Sequence, residues 1–344
     1  MAKIEDGNYL RTRIDNVLIM HSAFELAIDE IQMSFDGALL GSAPTCIAII
    51  GESRTGKTRV LEHFESRYPQ SRSEEGLCVP ILHIKVHSKP TVKGLAEEML
   101  HQIGDPLFEK GTEGIKTIRL KKLIRGAGTK LIILDEFQHF IDQANRKVQH
   151  HVADWLKILV DDTCVGLVVA GLPSSINVIQ SNEQLARRFM APVEFRRFDW
   201  GVSEEQVEFR QLLFSLQENL APFDLPELDS EEMSFRMYLA SGGLIGFVIK
   251  ILRAATTLAI HTNTMSIDLG MLHKAQQRAI LNKGVCCPAP FVNKLTVSPT
   301  NDVINEAMML GFQVDPEPSS STGNQKAFVS KRKNPSVSSV LSAS

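Results

Sequence analysis

No apolar stretch in this chain approaches the roughly 20 residues that a membrane-spanning helix needs. No membrane partner is therefore expected. The first residues, Met1-Ala-Lys-Ile-Glu-Asp-Gly7, lack the charged-then-apolar pattern of a secretory leader. Cysteine is scarce: Cys46, Cys78, Cys164, Cys286 and Cys287 form no C-x-x-C pair and are odd in number. Such usage fits a reduced, cytoplasmic compartment. Cys46, Cys78 and Cys164 lie in or beside strand-like runs and are expected to pack as small hydrophobes. Cys286-Cys287 reads as a pair of loop cysteines. There is no surplus of either charge, since the formal net charge is −3. Any nucleic-acid contact must then come from a local basic patch. No zinc pattern, no Ser-His-Asp arrangement and no internal repeat is visible. The histidines are scattered, and His150-His151 reads as a solvated helix face.

What is present centres on Gly51-Glu52-Ser53-Arg54-Thr55-Gly56-Lys57-Thr58. This fits the phosphate-loop pattern. The run Thr45-Cys-Ile-Ala-Ile-Ile50 before it is of buried-strand type. Arg59-Val-Leu-Glu-His-Phe-Glu-Ser66 after it has apolar residues at helical spacing. A loop between strand and helix turns backbone N–H groups and the helix N-terminus toward phosphate oxygens. The spacing assigns Gly51 to Arg59 to the nucleotide, ATP. Lys57 would reach the β- and γ-phosphates, and the Thr58 hydroxyl would bind Mg²⁺.

A second motif stands in register with the first. Leu131-Ile-Ile-Leu-Asp-Glu136 is an apolar strand ending in two acids. Asp135 would hold Mg²⁺ together with Thr58, and Glu136 would polarise an attacking water. The pair points to ATP hydrolysis. Arg187-Arg188 stands at a helix end before the next strand. There an arginine can reach a neighbouring subunit's γ-phosphate. Arg188 is the first choice because it directly precedes Phe189.

Strand-like runs at 45–50, 79–86, 130–136, 165–170 and 192–198 alternate with helical stretches. This implies an α/β fold with a parallel five-stranded sheet covered on both faces. The helical stretches include 91–103, with Thr91 as N-cap, 114–125, 147–160 and 184–189. The expected organisation is a helical segment over 1–40, a phosphate-loop ATPase core over 41–200 and an all-helical lid over 201–285. An extension follows over 286–344, disordered from about 315 because its Ser-rich composition cannot bury a core. Ile14, Val17, Leu18, Phe24, Leu26, Ile28 and Ile31 form the apolar stripe of the first segment. Ser203 with Gln206 makes a capping box for the first lid helix.

Both motifs, the late arginines and the helical lid resemble the AAA+ ATPases. Within them the sequence resembles the TniB/TnsC group of transposition regulators from Tn7-like elements. Residues 51–58, 133–139, 169–173 and 185–189 carry that likeness, which covers roughly residues 10–285. It implies slow, regulatory ATP hydrolysis and homo-oligomers assembled as rings or filaments on double-stranded DNA. It also implies two protein partners, a transposase and a TniQ-like target-selection protein. Two departures stand out. Gly171-Leu172 occupies the place of a polar sensor residue, with Ser174 or Ser175 as substitutes. No arginine follows the turn Gly242-Gly243-Leu244-Ile245-Gly246 until Arg253. If a ring forms, the basic stretch between the second and third strands faces its channel. That assigns DNA phosphates to Lys89, Lys93, Lys116, Arg119, Lys121, Lys122 and Arg125. Two other readings stay open. One is a replication-initiator or clamp-loader-like AAA+ ATPase, against which the lack of a winged-helix pattern counts. The other is a signalling or scaffold NTPase without DNA contact.

Overall fold

The computed structural model describes residues 17–41, 45–74, 76–88, 90–141, 146–280, 290–292 and 298–311. Of the expectations above, Ile14, Lys89, Cys286-Cys287 and the tail beyond 315 lie outside these residues.

Five strands form one all-parallel sheet: β1 (Cys46–Gly51), β4 (Ile81–Lys85), β5 (Leu131–Asp135), β6 (Gly166–Gly171) and β7 (Val193–Phe195), in the order β4-β5-β6-β1-β7. Every residue of β1, β5 and β6 is buried. That burial on both faces explains why these strands are unbroken apolar runs rather than alternating ones. The short strands β2 (Ser71–Ser73) and β3 (Gly76–Cys78) make a separate antiparallel hairpin that the sequence pattern did not announce.

Helices α1 (Ser22–Leu39) and α2 (Lys57–Ser66) cover one face, through Phe24, Ile31, Phe35, Val60 and Phe64. Leu26, expected in the buried stripe of α1, is instead half exposed. The other face carries α3 (Val92–Gln102), α4 (Glu113–Gly126) and α5 (Arg146–Thr163). Thr91 caps α3 as expected, its hydroxyl accepting from the Gly94 N–H at 3.0 Å. The short helices α6 (Ile176–Gln180) and α7 (Glu183–Ala186) lead into β7. The stretch 184–189 is thus a single helical turn, not a longer helix. Among the described cysteines Cys46 is buried, but Cys78 and Cys164 are exposed, so only Cys46 packs as a core hydrophobe.

Beyond β7 the chain is helical: α8 (Ser203–Asn219), α9 (Glu231–Ser241), α10 (Ile245–His261), α11 (Leu269–Ala279) and α12 (Asn301–Met308). These helices share a core of their own around Phe209, Leu213, Tyr238, Val248 and Leu252. The expected capping box is not formed. Glu205 accepts from the Asp199 N–H at 2.6 Å, and the Gln206 amide donates to the Trp200 carbonyl. Helix α12 lies where the sequence pattern decays, yet Ile304, Ala307 and Leu310 are buried in that same core. Among the described residues no single helix is long and apolar enough to cross a membrane. The apolar pair α9 and α10 is bent by 104°, and its apolar faces belong to this core.

Candidate functional site

The carboxyl ends of β1, β5 and β6 meet at one cleft, as parallel sheets dictate. Its volume is about 520 Å³, and Lys57, Thr58, Asp135, Glu136 and Gln138 line it. The loop after β1 owes its path to close packing. Gly51 lies so near β7 that a Cβ would stand 2.0 Å from the Phe195 carbonyl oxygen. Gly56, at φ 103°, takes a left-handed turn that opens α2. Inside the loop the Thr55 hydroxyl donates to the Glu52 carbonyl at 2.8 Å. Lys57 Nζ donates to the carbonyls of Gly51 at 2.8 Å and Glu52 at 2.5 Å. Burial pushes the Lys57 ammonium below the ordinary lysine range, while Asp135, Glu136 and Glu52 pull it back. A partly desolvated ammonium at this position is suited to anionic oxygens.

The two motifs converge as the sequence led one to expect. Thr58 Oγ1 donates to Asp135 Oδ2 at 2.7 Å, across 77 positions of chain. A hydroxyl and a carboxylate side by side are hard oxygen donors of the kind magnesium takes beside phosphate. The residues present therefore fit that ion. Asp135 Oδ1 accepts from the Glu136 N–H at 2.8 Å. Glu136 itself sits at φ 56°, an unusual conformation for a side-chain-bearing residue. The turn directs the chain into the 3₁₀ segment Phe137–Phe140 and leaves Glu136 on the cleft wall.

Gln138 is one residue that sequence reasoning missed. Its Nε2 donates to Glu136 Oε2, and its Oε1 accepts from the Leu172 N–H at 3.1 Å. It thereby joins the chain just past β6 to the Glu136 carboxylate just past β5. Ser174 is exposed and Ser175 is buried, and neither lines the cleft. A Cβ at Gly171 would stand 2.3 Å from Ser175 Oγ and 2.6 Å from Gln138 Oε1, so the glycine leaves room for both side chains. The available signal was the spacing of Gln138, two residues past Glu136 in the second motif.

Helix α10 closes the cleft from the other side. The Gly246 N–H donates to the Arg54 carbonyl at 2.9 Å, and Arg54 stacks over the Phe247 ring at 4.8 Å. Ile245, Gly246 and Ile249 complete the lining with Ser53, Arg59 and Glu62. Arg59 pairs with Glu62 at 3.5 Å. Arg253 lines a different cleft, so it is not placed as a second sensor. A second missed residue, Arg197, grips the Glu52 carboxylate from the end of β7. The sequence shows two adjacent arginines between Phe195 and Phe198, and only the structure separates the exposed Arg196 from the buried Arg197.

The remaining expected residues are dispersed. Arg187 is mostly exposed and pairs with Glu183. Arg188 pairs with Asp161 of α5 at 2.5 Å, and its carbonyl accepts from Cys46 N–H at the start of β1. Neither lines this chain's own cleft. The DNA assignment of α4 needs correction. Lys116 is fully buried, donating to the Phe108 carbonyl and pairing with Glu97 at 3.4 Å. Arg119 is tied to Asp105 at 2.5 Å and to the Leu107 carbonyl at 2.6 Å. Lys121 and Arg125 both engage Asp162, the first at 2.5 Å. Contact with Lys121 holds the Asp162 carboxyl below its usual range. These side chains staple α4 to its neighbours. Lys93 and Lys122 stay exposed.

Comparison with known proteins bears on these observations. Residues 13–200 match the model of a family described as bacterial TniB protein. A stretch of 121 residues is 29% identical to the ORC1-type DNA replication protein 2 of Sulfurisphaera tokodaii, covering 34% of this chain and 29% of that protein. The match thus spans under a third of that curated relative's length. Among solved structures, the Aeropyrum pernix ORC2 protein in ADPNP–ADP complexes has a TM-score of 0.58 at 15% identity, covering 81% of this chain and 72% of the other. The Aeropyrum pernix ORC1 protein in complex with DNA has a TM-score of 0.58 at 18% identity, covering 78% and 69%. At these identities the superpositions show a shared fold, that of AAA+ phosphate-loop NTPases.

Proposed function

The chain belongs to the TniB family, and from that premise we propose that it is an ATP-hydrolysing, DNA-binding regulator of transposition. It assembles as an oligomer on target DNA and links a TniQ-like target-selection protein to a transposase. The observation that carries the hydrolytic part is the Thr58–Asp135 contact with Glu136 beside it on the cleft wall. The family membership supports the transposition part. The fold shared with an ORC1 protein in complex with DNA is compatible with the DNA part.

In this reading Lys57 and the N–H groups of the loop bind the triphosphate. Magnesium, when bound beside Thr58 and Asp135, neutralises phosphate charge. Glu136 accepts a proton from the attacking water, and Gln138 holds its carboxylate in place. Ile245, Gly246 and Ile249 exclude water from the nucleotide. Hydrolysis acts as a timer on the DNA-bound assembly.

The test uses two variants. Lys57→Ala should lose ATP binding, measured by calorimetry, because the ammonium facing the phosphates is gone. Glu136→Gln keeps the shape and removes the base. It should bind ATP, assemble on duplex DNA and persist there after dilution, with turnover lowered by about 10²–10⁴-fold. Wild-type turnover and an unaltered complex lifetime in Glu136→Gln would sink this reading of the site.

A further inference from the structure

The α10–α11 pair of the lid carries an unassigned cleft of about 410 Å³, separate from the nucleotide cleft and sharing none of its lining residues. Lys250, Arg253, Thr257, His261 and Arg278 line it. The first four recur along one face of α10, and Arg278 comes from α11. Neither α10 nor α11 contains an aspartate or glutamate within its helical span. In a chain of net charge −3 this is a pronounced local asymmetry. Lys250, Arg253, His261 and Arg278 are all exposed.

We propose that this lid cleft holds the phosphate backbone of double-stranded DNA. The proposal rests on the DNA-binding reading above and names the surface that α4 does not supply. On α4, Lys116, Arg119, Lys121 and Arg125 are committed to carboxylates and carbonyls of the protein itself. The lid cleft has Lys250, Arg253 and Arg278 along a concave wall, with no carboxylate among its described lining residues. From Lys250 to His261 the row extends roughly 16 Å, at about 1.5 Å per residue. Along one DNA strand that reach corresponds to about four or five phosphates, spaced about 3.4 Å along the axis. Arg278 faces the row from α11, so the backbone would lie between two helices. Such contacts are independent of sequence and release counterions.

The experiment is fluorescence anisotropy of a labelled mixed-sequence duplex with full-length protein, ATP and magnesium, repeated across salt from about 50 to about 300 mM. The variant is Lys250→Gln/Arg253→Gln/Arg278→Gln, checked for wild-type ATP affinity and unfolding midpoint. It should bind at least about tenfold more weakly, with a slope of log affinity against log salt reduced by about 2–3. The single variants Lys250→Gln and Arg278→Gln, each expected to reduce the slope by about 1, give the same reading if the triple variant fails to fold. Wild-type binding with an unchanged slope in these variants overturns the lid assignment and leaves the DNA-binding reading intact. A wild-type protein that binds no duplex at the lowest salt overturns both.

Discussion

Arg197 clasps the carboxylate of Glu52, joining the end of β7 to the loop that would hold phosphate. The same guanidinium donates to the carbonyls of Gly242 at 3.3 Å, Leu310 at 3.0 Å and Met308. One buried side chain therefore ties together the phosphate loop, the glycine turn before α10 and the end of α12. Removing it should strand those carbonyls and Glu52 together. Arg197→Ala should lower stability by about 3 kcal/mol, measured by urea unfolding. Glu52→Gln should cost less, since Arg197 keeps its three carbonyl acceptors. Equal losses in the two variants would show that the carbonyl contacts contribute little.

Gln138 is a positioning residue for Glu136. Gln138→Ala should lower kcat by about 10- to 100-fold through misplacement of the carboxylate. KM for ATP should hardly change, because Gln138 bonds Glu136 and the Leu172 N–H rather than the phosphate loop. A rise in KM with unchanged kcat would assign Gln138 to nucleotide binding instead.

The paired arginines make separable predictions for an oligomer. Arg187 reaches solvent, whereas Arg188 is held by Asp161. If either completes a neighbour's site, its alanine variant should bind ATP but lose most hydrolysis. Mixing that variant with Lys57→Ala protein should restore some active interfaces. Rescue with Arg187→Ala and none with Arg188→Ala would make Arg188 a structural ion pair.

Lys116 should behave as a core residue. Lys116→Met leaves the Glu97 carboxylate and the Phe108 carbonyl without their donor. It should destabilise the fold by about 1–3 kcal/mol. The salt slope of DNA binding should stay at the wild-type value. A flattened slope in a fully folded Lys116→Met protein would return α4 to the DNA surface.

Acid should loosen the packing around α1 through His21. This residue precedes α1 and packs edge-on against Phe24, Phe195 and Phe198. Burial pushes its pKa below the ordinary histidine value, and Glu208 pulls it partly back. The unfolded chain then takes up the proton first. Stability contributed by His21 is present above about pH 6.5 and is lost as pH falls through the lower, folded value. His21→Gln should show a smaller drop in unfolding temperature between about pH 7.5 and about pH 5.5 than the wild type. Identical drops would exclude His21 as the group responsible.

The sequence by itself determined the sheet and the pairing of its two motifs. Runs such as Cys46–Ile50 and Leu131–Leu134 have no polar side to expose, so they must be buried, and their shortness and β-branched content favour strands over helices. The glycines and Lys57-Thr58 define a phosphate loop by local chemistry alone, and Asp135-Glu136 ends a strand that must lie near it. Local periodicity also placed Thr91 as a helix cap. What it did not reveal was which charges the fold would consume. Lys116, Arg119, Lys121 and Arg125 look like one basic face when α4 is read alone. Tertiary packing brings Glu97, Asp105 and Asp162 against them from other segments, which buries Lys116 and ties the others to partners within the protein. Gln138 and Arg197 escaped for the converse reason. Their partners, Leu172 and Glu52, are distant in sequence, and only the closing of the sheet brings them within bonding reach. Helix α12 was hidden for another reason: eight residues are too few to form a stable helix alone, and the segment becomes one only once Ile304, Ala307 and Leu310 are buried against the helical core.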